Sequence, residues 1–286
     1  MRSCHARSPP TTAASRRSRR WWSSGPLPRG WRSTTLGRVP ECYLGAPTSP
    51  PPGGTTLRSG DYQTSARATT AGRPTIAADK AQSWAYTEDF IAEDDVVAEA
   101  RARAEELGCE AVSAGTGAAL RLLAAAVEAR AVVEVGTGTG VSGLWLLGGM
   151  APDGVLTTID VDTDHQRAAR EAFAAAGVKP ARTRLISGRA LDVLPRMADA
   201  AYDLVLVDGD PTEAADYVEQ AVRMLRVGGV LAVPGALWFD RVADPARRDE
   251  ATVAMRELGR TVREDERLAA ALLPSGGGLL TAVRRR

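Results

Sequence analysis

From residue 131 onward, short apolar runs alternate with amphipathic stretches whose apolar residues recur at helical spacing. The short runs predict buried strands, and the amphipathic stretches predict helices. This alternation is typical of βαβ units and predicts a parallel sheet, closed by an antiparallel hairpin around residues 276–278. The predicted strands are Ala131–Val135, Val155–Ile159, Arg182–Ile186, Asp203–Val207, Val230–Val233, Leu268–Leu273 and Leu279–Val283, and the predicted helices are Ser142–Met150, Asp164–Ala175, Ala190–Met197, Glu213–Leu225 and Ala246–Leu258.

Two helices are predicted before the first strand. Thr87, Glu88 and Asp89 resemble a helix start because acidic residues are favoured in the first turn, and Gly108 would end that helix. The second helix is expected over residues 117–128. Order is expected to begin near residue 83, so that residues 83–286 form the folded domain.

Residues 1–75 differ from the rest of the chain in composition. They are rich in Arg, Ser, Thr, Pro and Gly and show neither hydrophobic period, which predicts a disordered tail that the folded domain does not need. Three functional interpretations stay open: a twin-arginine export signal around residues 16–20, an organelle transit peptide, and a basic tail that contacts nucleic acid. A fourth interpretation is that translation starts downstream and the segment is not part of the protein.

The chain carries a formal net charge of +1, but this charge is divided unevenly. Residues 1–75 hold twelve Arg and two acids, near +10, which leaves the other residues near −9. An acidic domain disfavours nucleic acids and anionic membranes as partners. No uncharged apolar run approaches the ~20 residues that span a bilayer. Cys4, Cys42 and Cys109 are too scattered for a disulfide framework or a zinc site, which favours the cytoplasm.

A glycine-rich stretch, GTGTG at residues 136–140, lies between the first predicted strand and a helix. Its glycines let the backbone approach a ligand, and the helix N-terminus offers free N–H groups. Val141 stands where a dinucleotide fingerprint needs its third glycine, and no lysine follows as in a phosphate-binding loop. Glu134 instead suits the amino group of S-adenosylmethionine, and Ser142 suits its carboxylate. An ordinary tight turn between strand and helix is the alternative.

Asp160 ends the second predicted strand, about 20 residues past the loop, where an acid accepts hydrogen bonds from both ribose hydroxyls. Val161 would then pack beside the adenine. The other interpretation of Asp160 is a helix cap, but Asp164 suits that role better. The loop and Asp160 together predict a ligand that contains a nucleoside.

The order and spacing of seven segments resemble the S-adenosylmethionine-dependent O-methyltransferases of the catechol and caffeoyl-CoA type, especially their bacterial class I branch, called family 3. The segments lie at residues 112–117, 133–142, 157–161, 188–190, 202–210, 225–229 and 237–238. The resemblance covers residues 83–286. It implies a Rossmann-like, doubly wound α/β fold: a seven-stranded mixed sheet with helices on both faces and two extra N-terminal helices.

The resemblance also implies a set of site residues by position. Asp208, at the end of the fourth strand, would lie beneath the transferred methyl group. The residues that would bind the cofactor are Val112, Glu134, Gly136, Thr137, Gly138, Ser142, Asp160, Val161 and Ala190.

The sequence departs from this family where the chemistry takes place. The family usually has Asp-Ala-Asp-Lys after the fourth strand and Asp-Asn after the fifth, where the acids and the Asn hold a divalent metal and the Lys takes the substrate proton. This chain has DGDP at residues 208–211 and PG at residues 234–235. We therefore predict no metal site, and Asp208 and Asp210 are the catalytic candidates. Asp240 is a neighbouring acid that could substitute as a ligand.

Two further residues have an open interpretation. His165 is expected on the surface of a helix, and Trp238 suits either a substrate wall or the core. The leading functional hypothesis is a cytoplasmic O-methyltransferase that acts on a small hydroxylated, aromatic acceptor. The alternatives are a cofactor-binding pseudo-enzyme and an RNA methyltransferase that uses the basic tail. The resemblance leaves a homodimer open.

Overall fold

The computed structural model describes residues 76–286, with side chains from residue 80 onward, so the predicted tail lies outside the described residues. The α-helices are α1 Ile76–Glu88, α2 Asp95–Leu107, α3 Ala114–Ala126, α4 Val141–Gly149, α5 Thr163–Ala175, α6 Ala190–Val193, α7 Ala214–Met224 and α8 Glu250–Glu264. The strands are β1 Ala131–Val135, β2 Val155–Asp160, β3 Thr183–Ser187, β4 Tyr202–Val207, β5 Leu225–Val233, β6 Leu268–Leu273 and β7 Leu279–Arg284.

The seven strands form one mixed sheet in the order β3-β2-β1-β4-β5-β7-β6. β1 pairs in parallel with β2 on one side and with β4 on the other, whereas β7 pairs antiparallel with β5 and β6. The predicted doubly wound mixed sheet and its closing hairpin are confirmed. The strand order reverses at β1, and ligands of such sheets bind outside the carboxyl ends of the strands at this point.

Helices cover both faces of the sheet. On one face Val218 of α7 and Leu258 of α8 belong to one apolar cluster; on the other, Leu146 of α4 and Phe173 of α5 belong to a second. Because successive strand residues point to opposite faces, the buried strand β1 contributes to both clusters. No helix within residues 76–286 is long and apolar enough to cross a membrane.

The first helix boundary differs from the sequence prediction. Residues 87 and 88 end α1 instead of starting a helix, and the next helix begins at Asp95. The Asp94 side chain accepts hydrogen bonds from the N–H groups of Val96 and Val97, at 3.1 and 2.9 Å. Asp94 is thus the N-cap that sequence analysis overlooked, and α1, α2 and α3 all precede β1.

The last predicted helix begins four residues later than expected. Asp249 caps α8, because its side chain accepts a hydrogen bond from the Thr252 N–H at 3.1 Å. The residues before this cap form a loop instead of a helix. Arg256 of α8 fixes that loop by donating hydrogen bonds to four of its carbonyl oxygens, those of residues 241, 242, 244 and 247.

Candidate active site

A cavity of about 320 Å³ lies at the carboxyl ends of β1, β2 and β4. Because β1 lies between the other two strands, the residues that follow each strand meet at one point. The glycine-rich loop follows β1, Asp160 ends β2, and Asp208 follows β4. All three line the cavity.

The glycine-rich loop turns sharply because three of its residues adopt backbone angles that favour glycine. The φ angles of Gly136, Gly138 and Gly140 are +88°, +49° and +91°. A Cβ on Gly136 would lie 2.0 Å from the carbonyl oxygen of Asp208, and one on Gly138 would lie 3.0 Å from the sulfur of Cys109. The loop backbone therefore packs directly against Asp208, which follows β4, and against Cys109. Only glycine fits at such close approaches.

Asp160 organises this loop from the neighbouring strand. Its Oδ2 accepts hydrogen bonds from the N–H groups of Thr137 and Gly138, at 2.9 and 3.0 Å, and its Oδ1 accepts one from Asp162 at 2.9 Å. The side chain is 10% exposed. The carboxylate thus holds the loop backbone in place while it lines the cavity.

The start of α5 lies beside Asp160. Asp162 caps this helix by accepting hydrogen bonds from Asp164 and His165, at 2.7 and 3.2 Å, so the assignment of the cap to Asp164 was wrong. His165 lines the cavity, and its Nδ1 lies 3.6 Å from Oδ2 of Asp160. The sequence predicted a residue on the surface of a helix, and His165 lies in the first turn of α5 with 21% of its side chain exposed.

Glu134 lies in β1, behind the wall of the cavity, and is fully buried. The hydroxyl of Ser142, which lines the cavity, donates a hydrogen bond of 2.6 Å to Oε1 of Glu134. Oε2 has no hydrogen-bond partner. Burial raises the pKa of Glu134 to about 7, and the charges of Asp208 and Asp160 add to this effect, while hydrogen bonds from Ser142 and Thr158 oppose it.

Asp208 and Asp210 lie two residues apart in different environments. Burial, together with the charge of Glu110, raises the pKa of Asp208 to about 7, and its carboxylate accepts no hydrogen bond from the described residues. Asp210 is exposed, and the hydroxyl and N–H of Thr212 donate to its Oδ1 at 2.7 and 2.8 Å. These bonds hold the pKa of Asp210 below its usual range. Asp208 is therefore the more basic carboxylate.

The segment between α2 and α3 forms another wall of the cavity. The guanidinium of Arg101 fixes it, since Nη2 donates to the carbonyl oxygen of Val112 at 2.6 Å and Nε donates to Glu93 at 2.9 Å. The hydroxyl of Thr139 in the glycine-rich loop donates to the carbonyl oxygen of Ala100 in α2, at 2.7 Å. Both hydrogen bonds to carbonyl oxygens connect α2 to the lining of the cavity.

Most of the residues predicted from the sequence come together in this cavity. Glu134 and Ala190 do not line it: the first lies behind Ser142, and the second is buried in the core at the start of α6. The predicted residues that do line it are Val112, Gly136, Thr137, Gly138, Ser142, Asp160, Val161, Asp208 and Asp210.

Sequence reasoning missed several lining residues, among them Cys109, Glu110 and His165. Cys109 and Glu110 follow Gly108, where the chain leaves α2, and no local pattern marks them. His165 had a usable signal, because Asp162 is followed three residues later by a histidine in the first turn of α5. A cap at Asp162 puts the first turn of α5 directly after β2, and this places the histidine next to Asp160.

The segment after β5 lies outside the cavity lining. Trp238 is half-buried and packs against the apolar cluster that contains residues of α7 and α8. Of the two interpretations of this residue, the structure therefore agrees with the core and not with a wall of this cavity. Pro234 is buried, and Asp240 is exposed and does not line the cavity. Among the side chains described from residue 80 onward, no three of His, Cys, Asp or Glu are grouped as a metal site would require.

Comparisons with known proteins agree with this arrangement. A family model described as O-methyltransferase matches residues 85–286. A protein of Mycobacterium tuberculosis with the name "Probable O-methyltransferase" is 56% identical over 201 residues, which are 70% of this chain and 90% of the relative.

Two solved structures are similar over the same part of the chain. A protein of Corynebacterium glutamicum is 34% identical, with a TM-score of 0.67 over 73% of this chain and 98% of its own. The O-methyltransferase TomG of Streptomyces achromogenes, solved with S-adenosylmethionine and involved in tomaymycin synthesis, is 28% identical, with a TM-score of 0.64 over 72% of this chain and 98% of its own.

Proposed function

Since the chain belongs to the O-methyltransferase family, whose methyl donor is S-adenosylmethionine, we propose that its cavity transfers a methyl group to a hydroxyl of a small aromatic acceptor. One observation carries this proposal: a basic, unpaired carboxylate, Asp208, lines the same cavity as the glycine-rich loop and Asp160. Ligands of this fold class bind at that edge of the sheet.

The residues present fit the cofactor. Gly136 and Gly138 line the cavity without side chains, and Asp160 lines the same cavity. Ser142 offers its oxygen at the start of α4, braced from behind by Glu134. We assign cofactor binding to Val112, Glu134, Gly136, Thr137, Gly138, Ser142, Asp160, Val161 and Ala190. Glu134 would act through Ser142, which lies in front of it.

When bound, S-adenosylmethionine supplies a methyl group on a positively charged sulfur. The acceptor hydroxyl must lose its proton in order to attack, and a phenol with a pKa of about 10 does so poorly at neutral pH. We assign Asp208 as the base that accepts this proton, because its raised pKa brings it near the working pH. Asp210 is a weaker base, since Thr212 already occupies its carboxylate.

The metal of the related enzymes does not fit this donor set. Asp208 and Asp210 are the carboxylates that follow β4, and Pro234 and Gly235, which follow β5, offer no side-chain oxygen. A hard divalent cation needs several oxygen ligands. Orientation of the acceptor then rests on the cavity walls, where proximity alone contributes several kcal/mol.

The test is methyl transfer from labelled S-adenosylmethionine to a panel of catechols and simple phenols. Asp208→Asn should lower kcat by roughly 100- to 10,000-fold, the usual contribution of a general base. Asp210→Asn is the matched control and should keep most of the turnover. Full turnover by Asp208→Asn would show that another group takes the proton. Cofactor binding without turnover on any acceptor would favour the pseudo-enzyme.

A further inference from the structure

The carboxylate of Asp160 has little capacity left for a nucleoside. An ionised carboxylate offers about four acceptor positions, two on each oxygen. The N–H groups of Thr137 and Gly138 occupy both positions on Oδ2, and the N–H of Asp162 occupies one on Oδ1. One position remains. A ribose has two hydroxyls, so the second one needs another partner in this cavity.

His165 lies beside Asp160 in the lining of the cavity. Its Nδ1 is 3.6 Å from Oδ2 of Asp160, which is beyond a direct hydrogen bond. The nitrogen therefore lies beside the carboxylate without forming a hydrogen bond to it. His165 also lines the cavity, and an imidazole nitrogen can accept or donate a hydrogen bond to a hydroxyl.

The first turn of α5 holds the backbone of His165 in place. The cap residue Asp162 accepts the N–H of His165 at 3.2 Å. The next residue, Gln166, is buried, and its Nε2 donates to the carbonyl oxygen of Ile186 in β3 at 2.9 Å. Because β3 pairs with β2, the histidine is fixed relative to Asp160 through the sheet.

We propose that His165 binds the second ribose hydroxyl of the cofactor, beside the hydroxyl that Asp160 accepts. The proposal rests on the assignment of this cavity to S-adenosylmethionine. It makes His165 a cofactor-binding residue and divides the recognition of the ribose between β2 and α5.

Affinity for S-adenosylhomocysteine, measured by titration calorimetry, tests this proposal in the full chain. His165→Phe keeps a ring of similar size without the nitrogen and should weaken binding by about 3- to 10-fold, the value of a neutral hydrogen bond. His165→Asn places an amide near the position of Nδ1 and should recover most of the affinity. Arg167→Gln, at an exposed position on the same helix, is the control and should bind like the wild type.

The 2′-deoxy and 3′-deoxy forms of S-adenosylhomocysteine identify the hydroxyl. For one of them, the wild type and His165→Phe should bind equally, because the hydroxyl that the histidine binds is missing. Asp160→Ala should weaken binding of S-adenosylhomocysteine by about 10- to 150-fold. Part of this loss should persist with the other deoxy form, because the variant also frees the N–H groups of Thr137 and Gly138.

Two results would overturn the proposal. If His165→Phe binds S-adenosylhomocysteine as tightly as the wild type does, His165 is not a cofactor-binding residue, and the rest of the cofactor assignment still stands. If His165→Phe loses the same affinity for all three ligands, the substitution changes the shape of the cavity and not a bond to one hydroxyl. A wild type that does not bind S-adenosylhomocysteine would overturn the cofactor assignment itself.

Discussion

Gly136 lies so close to Asp208 that a Cβ on the glycine would stand 2.0 Å from the carbonyl oxygen of the aspartate. This contact joins the first residue after β1 to the first residue after β4, and it involves backbone atoms that cannot rotate away. The glycine-rich loop and the proposed base are therefore parts of one rigid arrangement.

Gly136→Ala should lower both stability and cofactor affinity. The left-handed backbone costs a non-glycine residue about 1–2 kcal/mol, and the contact with Asp208 adds about 1–3 kcal/mol of overpacking. Gly177→Ala is the matched control, because Gly177 has a φ of +70° and nothing within 4 Å of the added Cβ. Urea unfolding should show a clearly larger loss for Gly136→Ala. Equal losses would mean that the loop moves away from β4 at little cost.

The stability of the cofactor-free protein should fall as the pH rises from 5 to 8. Unfolded Glu134 releases its proton near its ordinary pKa of 4.5, whereas the folded protein holds that proton until about pH 7. The unfolded state binds fewer protons in this window, so the free energy of unfolding decreases with pH. Each unit of pKa difference corresponds to about 1.4 kcal/mol.

Glu134→Gln should flatten this dependence, being more stable than the wild type at pH 8 and losing that advantage towards pH 5. Glu171→Gln, at an exposed position on α5, is the control and should follow the wild-type curve. Unfolding free energies measured across this pH range decide the matter. A Glu134→Gln curve that keeps the full pH dependence of the wild type would contradict the buried, protonated state of Glu134.

Methyl transfer should not depend strictly on a divalent metal. Pro234 and Gly235 stand where the related enzymes have Asp-Asn, and Asp240, the acid that could replace them, does not line the cavity. Activity should therefore survive exhaustive chelation to a large extent. Complete loss of activity with full recovery on addition of magnesium would show that a metal site is formed here.

A chain that starts at residue 75 should keep the melting temperature and the affinity for S-adenosylhomocysteine. Residues 1–75 lack the apolar pattern that a packed segment needs.

Removal of α1 should be different, because Glu88 accepts hydrogen bonds from the N–H groups of Gly115 and Gly276, at 3.1 and 2.7 Å. A chain that starts at residue 92 should lose about 1–3 kcal/mol of stability through these unpaired groups. Failure of the first truncation to fold would place the tail inside the domain.

The strand pattern was predictable because burial on both faces leaves a local mark in the sequence. β1 corresponds residue by residue to the predicted apolar run, and β2 and β4 differ from their predictions by one residue. Helix ends were less predictable, since Asp94, Asp162 and Asp249 each compete with other acids nearby as caps. β5 starts at Leu225, five residues before the predicted strand Val230–Val233, and its register with β4 shifts between the pairs Leu225–Tyr202 and Val230–Leu204. A local apolar pattern does not mark such an irregular start.

The sequence alone determined the sheet, the position of the glycine-rich loop and the family of the protein, since each depends on the spacing of residues along the chain. The tertiary structure decided which polar groups remain available. The carboxylate of Asp160 is largely occupied by the backbone of the loop 22 and 23 residues earlier, Glu134 lies behind Ser142, and Asp208 differs from Asp210 in burial and pairing. Hydrogen-bond occupancy and desolvation depend on distances through space between residues far apart in sequence, and no local pattern records these distances.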